Sequence, residues 1–286
     1  MSMNVYIYSL RMTQLKAYKM HGLGNRFLII DRRKNFVELS KNQIKSLAEN
    51  KLFNFDQLIY LDKEKNSTYP ITIVNADGIE VSACGNGSRC IAYFLAKEKK
   101  QNKIKLNTIE RNLVAEVYDI HNVKIDMGKP KFSWKEIPLA KDLDHKKIPI
   151  ILKDNDGNSY EHGFALNVGN PHLIYFVKDC DNFDLKKIGP EIENHKLFPE
   201  RCNLTLAQVV DHENVKISVW ERGAGLTEAC GTAACATAVA GVEQALIKNK
   251  SNIIFKSGKL ILEIDQNKNI SMTGPVSDIQ DVMVNL

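Results

Sequence analysis

The sequence predicts an α+β fold built from two comparable halves. Three observations predict it. Strand-like runs dominate the chain and do not alternate regularly with helices, as they would in a βαβ design. Each half holds one principal helix. An Ala-Cys-Gly segment stands directly before that helix in both halves, at 83–85 and 229–231.

Taken in order, residues 1–14 precede the first coherent pattern and read as an extension. FLIIDRR reads as a strand from Phe27 to Asp31. SKNQIKSLAENKL has helical spacing of Ile44, Leu47 and Ala48, with Ser40 placed as an N-cap. QLIYL (57–61) and YPITIVNA (69–76) are short β-rich runs. IAYFLAKEKK, after Cys90, is a helix, and KIKLNTI, NLVAEVYDI and VKIDMG complete the first half as strands. In the second half GFALNVGNPHLIYFV gives strands around a turn, and DLKKIGPEIENH is helical apart from its proline. LTLAQVVDHENVKISVWERGAG is two strands and a polar turn. CGTAACATAVAGVEQALIKN is an alanine-rich helix, and NIIFKSGKLILEIDQNKNISMTG closes the pattern with strands. No Pro/Gly-rich linker separates the halves, so the boundary near 128–130 (MGKP) rests on the change of pattern.

With 286 residues, 44% hydrophobic and 26% charged, the chain can bury a core in each half and has the composition of a soluble globular protein. A net charge of +5 is modest, and KEKK at 97–100 reads as the solvated end of a helix. No basic stripe is interleaved with aromatics, so no nucleic-acid partner is expected. No run approaches the roughly twenty apolar residues that span a bilayer, and VYIYSL is too short for a secretory signal. No membrane partner is therefore expected, and the six cysteines are expected as free thiols in the cytoplasm. Neither CxxC nor HExxH occurs, so no metal is expected.

The chemistry lies in the repeat, NADGIEVSACGNGSRC (75–90) and ERGAGLTEACGTAAC (221–235). Each places a cysteine, Cys84 or Cys230, at a helix N-terminus. Unpaired backbone N–H groups and the helix dipole there favour a thiolate and make an anion site for a carboxylate. Gly85, Gly87 and Gly231 leave the backbone open to a ligand. Two such ends facing one another would grip an α-carboxylate with one sulfur on each side of Cα. One thiolate would remove the α-proton, and the opposing thiol would deliver a proton to the other face. Cys90, Cys180, Cys202 and Cys235 lack this setting and are expected to pack in the core.

KMHGLGN (19–25), NADG (75–78), CGNG (84–87), GNPH (169–172), ERGAG (221–225) and ACGT (229–232) together resemble the ordered signatures of the diaminopimelate epimerase family. The resemblance runs from about residue 17 to GP at 274–275, nearly the whole chain. It implies two pseudo-symmetric domains, each a curved mixed β-sheet or barrel around a central helix, with the active site in the cleft between them. The domains implied are 15–128, completed by a last strand at 275–286, and 129–274. It also implies interconversion of LL- and meso-diaminopimelate, in the lysine and peptidoglycan precursor pathway, with no pyridoxal phosphate or metal. By matched position Cys84 and Cys230 are the catalytic bases. Asn25, Gln57, Asn75, Asn170, Asn203, Glu221 and Arg222 would hold substrate, and Gly85, Asn86, Gly231 and Thr232 would offer donors to the reacting carboxylate. Arg222 can fork onto a carboxylate, while Glu221 and amide oxygens can accept from an ammonium. His172 would support the site, by tuning a cysteine, touching substrate or holding its own loop. A small amino-acid substrate is the expected partner, and a homodimer is an assembly the sequence allows.

The chain departs from the family's usual GLGNDF, ERGAGET and CGTGA-like patterns at Arg26, Leu226 and Ala233. Alternatives are a racemase of another amino acid, such as proline or hydroxyproline, a cysteine hydrolase pairing one cysteine with His172, and a non-catalytic amino-acid-binding protein. Relatives of the proline type usually carry CGH at the first cysteine, so Asn86 weighs against that reading. The hydrolase leaves the duplicated cysteine unexplained, and loss of one cysteine would mark a binding protein.

Overall fold

The computed structural model of the protein describes residues 14–81, 84–109 and 111–285. Of the expected N-terminal extension, 1–13 lie outside the described residues, and Gln14 already opens the first strand. The first half runs β1 (Gln14–Gly22), β2 (Asn25–Asp31), α1 (Lys41–Glu49), β3 (Gln57–Leu61), β4 (Tyr69–Asn75), β5 (Glu80–Val81), α2 (Gly85–Lys99), β6 (Lys103–Asn107), β7 (Asn112–Val117) and β8 (Val123–Gly128). A small hairpin, β9 (Leu152–Lys153) and β10 (Ser159–Tyr160), follows. The second half runs β11 (Phe164–Asn167), β12 (Pro171–Phe176), α3 (Leu185–Glu193), β13 (Asn203–Asp211), β14 (Asn214–Glu221), β15 (Gly225–Thr227), α4 (Gly231–Glu243), β16 (Lys250–Phe255), β17 (Gly258–Ile264) and β18 (Ile270–Gly274), before β19 (Gln280–Asn285).

The two halves share one pairing pattern. In the first, β1 is antiparallel to β2, β2 parallel to β3, β3 antiparallel to β4, β4 parallel to β6, and β6, β7 and β8 antiparallel in turn. In the second, β11, β12, β13, β14, β16, β17 and β18 repeat that sequence of directions. β5 and β15 each pair antiparallel with the strand before them. Antiparallel pairing of β8 with β18 joins the halves, and β19 returns to pair with β1. The α+β class and the pseudo-symmetry of the sequence reading are thus both present.

Several strands are buried on both faces, which explains their unbroken apolar runs. In β2, Phe27 and Ile29 face the cluster that holds α2 and α4, while Leu28 and Ile30 face a second cluster under α1. In the second half Ile174 and Ala207 face the shared cluster, and Leu173, Tyr175, Leu204 and Leu206 face the layer of α3. Such alternation is the period-two geometry of a strand between two layers. α2 and α4 lie inside the curved sheet, and α4 is buried on every side from Ala233 to Gly241. Alanine suits it because strands close around the backbone.

Ser40 caps α1 in a reciprocal capping box with Gln43. Two helical expectations change. α4 stops at Glu243, short of the expected Asn249, because Ala245 turns to φ 56° ahead of β16. Pro190 lies inside α3, in its second turn, where the helix forgoes the bond that an N–H would have made to the Lys186 carbonyl. No helix among the described residues is long and apolar enough to cross a membrane.

Candidate active site

The first turns of α2 and α4 meet at the seam between the halves. Cys84 is the N-cap of α2: the Gly87 N–H donates to its Sγ at 3.4 Å, and the thiol donates to Asn25 Oδ1 at 3.5 Å. Cys230 is the N-cap of α4, with Sγ 3.4 Å from Thr232 Oγ1. Met272 of β18 lies against both helix ends. A Cβ on Gly85 would stand 2.6 Å from Met272 Cε, and one on Gly231 would stand 3.3 Å from it. Gly85 therefore has no room for a side chain, and its absence leaves the helix mouth open.

A cleft of about 850 Å³ opens over both ends. Cys84, Cys230, Asn25, Gln57, Asn75, Gly85, Asn86, Asn170, Glu221, Gly231 and Thr232 all line it. An adjoining recess of about 500 Å³ shares Cys84, Gln57, Asn75, Asn170, Glu221 and Thr232, and adds Asn203 and Arg222. His172 lines neither space, and Gly87, expected to open the backbone to a ligand, packs against Ile59 and Phe27 instead.

Hydrogen bonds already occupy part of this set. Gln57 Nε2 donates to Asn75 Oδ1 at 2.9 Å across the β3–β4 pair. Asn203 is buried, donates to the Pro171 carbonyl at 2.8 Å, and accepts the Arg222 N–H at 2.9 Å. It thereby fixes the backbone from which Arg222 projects. Arg222 Nη1 donates to the Glu200 carbonyl at 2.8 Å. Glu221 accepts a short hydrogen bond from Thr227 Oγ1. His172 Nε2 lies 2.8 Å from Asn170 Oδ1, so the histidine reaches the cleft through Asn170.

The electrostatics differ from the sequence expectation at one point. Helix N-termini predict acidic thiols, yet burial pushes Cys84 up to about 11, against the lowering effect of the Gly87 N–H. Burial, reinforced by the Glu221 carboxylate, raises Cys230 well above the ordinary thiol value. Desolvation of a sulfur anion outweighs one helix end. Glu221 is itself raised by burial. Burial also holds the His172 imidazole down to about 3, with the Arg222 charge adding to it.

This last value gives an expected result. Between about pH 6.5 and 4.5 the unfolded chain protonates His172 and the folded chain does not, so stability falls with pH by about 2 kcal/mol on this group. Urea unfolding at both pH values should show a smaller loss for His172→Gln than for the wild type. Equal losses would remove the histidine from the account.

The structure adds residues that the motifs did not flag. Asp56 accepts from the Arg26 N–H at 2.7 Å and from Arg26 Nη2 at 2.6 Å, tying this unusual arginine to the first-half wall of the cleft. Glu228 closes on Gly24 from the other half, its Oε2 3.0 Å from where a Cβ would stand. An aspartate directly before the flagged Gln57 was the available signal for Asp56; Glu228 offered none. Among the described residues, no three histidine, cysteine, aspartate or glutamate side chains cluster so as to hold a metal ion.

Comparison with known proteins agrees with this geometry. The sequence profile of the family described as Diaminopimelate epimerase matches residues 17–133 and 164–279. The chain is 46% identical over 272 residues to the diaminopimelate epimerase of Pelagibacter ubique, covering 95% of this chain and 99% of that one. It is 38% identical over 262 residues to that of Zymomonas mobilis, covering 91% and 93%. In fold it is similar to a predicted epimerase from Pseudomonas aeruginosa, with TM-score 0.67, 13% identity, and coverage of 95% and 99%. It is also similar to a hydroxyproline epimerase from Agrobacterium vitis, with TM-score 0.61, 10% identity, and coverage of 96% and 93%. With a profile match over most of its length, relatives above one-third identity and two helices headed by cysteine N-caps in one cleft, the chain belongs to the diaminopimelate epimerase family.

Proposed function

We propose that this chain converts LL-2,6-diaminopimelate to the meso isomer, using Cys84 and Cys230 as the two proton carriers and no cofactor. The observation that carries the mechanism is the pairing of cysteine N-caps, each on an inward helix, over one cleft. The substrate is a small amino acid with a second amino-acid group at its far end. Its reacting carboxylate would sit on the N–H groups of the first turns of α2 and α4, near Gly85, Asn86, Gly231 and Thr232. Arg222 would take the distal carboxylate, and Glu221 with Asn25, Asn75 and Asn170 would take the ammonium groups. Gln57 orders Asn75, and Asn203 orders Arg222.

In the reaction one sulfur, as thiolate, takes the α-proton and becomes a thiol. The electron pair left on Cα then takes the proton of the opposing thiol, which becomes the thiolate. The protonation states of the two sulfurs are exchanged at the end, and proton exchange with water resets them. Because burial raises both thiols, the substrate's ammonium groups supply part of the positive charge that a thiolate needs. All six cysteines are unpaired, which suits a reducing cytoplasm. The repeated strand pairing supports a division into domains 15–128, with 275–286, and 129–274.

The test is incubation of reduced protein with LL-diaminopimelate in deuterated water, without added pyridoxal phosphate or metal. Proton NMR should show loss of one α-proton signal while chiral separation shows the meso isomer. Absence of both in fully reduced protein would sink the substrate assignment, and a panel of other amino acids would then distinguish a different racemase.

A further inference from the structure

Arg89 stands in the second turn of α2 with no exposed surface, which is rare for arginine. Its Nη2 donates to Asn86 Oδ1 at 2.8 Å, its Nη1 lies 3.6 Å from Met272 Sδ, and its buried Nε has no partner. Glycines make its room. A Cβ on Gly22 would meet Nη2 at 3.4 Å, and one on Gly274 would meet Cζ at 3.3 Å. No carboxylate pairs with it among the described residues. The ionisable groups whose charge acts on it are thiols: Cys90 of α2, its N-cap Cys84, and Cys235 of α4.

An uncompensated buried charge costs several kcal/mol, so it persists only where an anion arrives to use it. Cys90 and Cys235 are fully buried in the core and line neither cleft nor recess. Cys84 does open to the cleft, and so does Asn86, which the guanidinium holds by its amide oxygen. With Oδ1 occupied, the Asn86 amide is oriented with its NH₂ free for an acceptor. The second half has no counterpart: the residue five after Cys230 is Cys235, whereas the residue five after Cys84 is Arg89. The two-fold design therefore carries this guanidinium on the α2 side alone.

We infer that Arg89 is a positioning residue for the reaction, the fixed buried cation that balances the Cys84 thiolate and the substrate carboxylate and that orients Asn86 toward that carboxylate. The role in turnover rests on the proposed epimerase reading. The effect on Cys84 does not, and the two are read separately. Glu221 opposes Arg89 at Cys84: the carboxylate of one half raises the thiol and the guanidinium of the other lowers it.

The experiment compares wild type, R89M and R89K. The rate of iodoacetamide alkylation at Cys84 is followed against pH by peptide mass spectrometry, with no substrate present. In R89M the midpoint should rise by about one pH unit, as expected for loss of a nearby opposite charge. Epimerisation should fall at least about a hundredfold, with a melting temperature no lower than that of the wild type. In R89K the midpoint should return to the wild-type value while turnover stays about tenfold down, because lysine keeps the charge and loses the planar hold on Asn86. An unmoved midpoint in R89M overturns the proposal, as does a lower melting temperature with an unchanged pH profile. If R89M fails to fold, R89K decides alone: wild-type turnover overturns the proposal, and reduced turnover with an unmoved midpoint upholds it. A wild type that alkylates as expected but does not epimerise diaminopimelate would instead fault the substrate assignment.

Discussion

Replacing either Cys84 or Cys230 by serine is expected to lower epimerisation by at least about a thousandfold, the scale of a lost acid/base group. In the proposed mechanism neither thiol can stand in for the other, because each serves one face of Cα. The hydroxyl of serine can cap a helix, so C84S keeps the acceptor that the Gly87 N–H uses, while its much weaker acidity removes the base. Thermal melting should consequently place C84S near the wild type, and C84A lower by the loss of a cap. Cys230 makes no capping bond, so its alanine variant should lose turnover with little loss of stability.

The single variants should also separate the faces. With one sulfur left, an α-proton on its side can exchange with deuterated water, but no proton arrives from the opposite side. Exchange without inversion is expected, from one stereoisomer in C84S and from the other in C230S. Identical exchange from both isomers in either variant would place both steps on one base and refute the two-base assignment. The pH dependence has a definite sign. In the proposed mechanism the active form holds one thiolate, and burial raises both thiols, Cys84 to about 11. kcat/KM should therefore rise with pH, by up to about tenfold per unit above neutrality, until the substrate's own ammonium groups titrate. A profile flat from about pH 7 to 10 would mean that the free enzyme already carries its thiolate.

The distribution of legible and hidden features has a physical pattern. Features set by local sequence could be read directly: both cysteine N-caps, the Ser40 cap, and strands such as QLIYL whose two faces are both buried. β1 carries no local strand pattern because KAYKMHG mixes charged and apolar residues; its pairing with both β2 and β19 makes it a strand. Local sequence predicts lowered thiols because a helix N-terminus is visible in it, whereas the burial that raises them is a property of the assembled seam. Arg89 was invisible for a related reason. Its neighbours Gly22, Met272 and Gly274 come from the two ends of the chain, and nothing local distinguishes it from a solvated arginine on a helix.

Arg222 is expected to decide which amino acid the cleft accepts. The residue is partly buried in the recess beside Cys84 and Glu221, and no carboxylate pairs with its guanidinium among the described residues. One of its nitrogens donates to the Glu200 carbonyl, which aims the group while leaving other N–H donors for a ligand. Diaminopimelate and lysine share one reacting end and differ by the carboxylate at the other. R222M should raise KM for diaminopimelate about a hundredfold, the effect of leaving a buried carboxylate unpaired. R222K should raise it about tenfold, because a point charge replaces a planar fork. α-Proton exchange on lysine, slow in the wild type for want of the distal contact, should be unaffected by either change. The comparison separates recognition from scaffolding: if Arg222 only braced the loop through Asn203 and Glu200, both substrates would lose rate together. An R222M variant that discriminates between them as the wild type does would move the distal carboxylate elsewhere in the cleft, with Arg26 the first place to look.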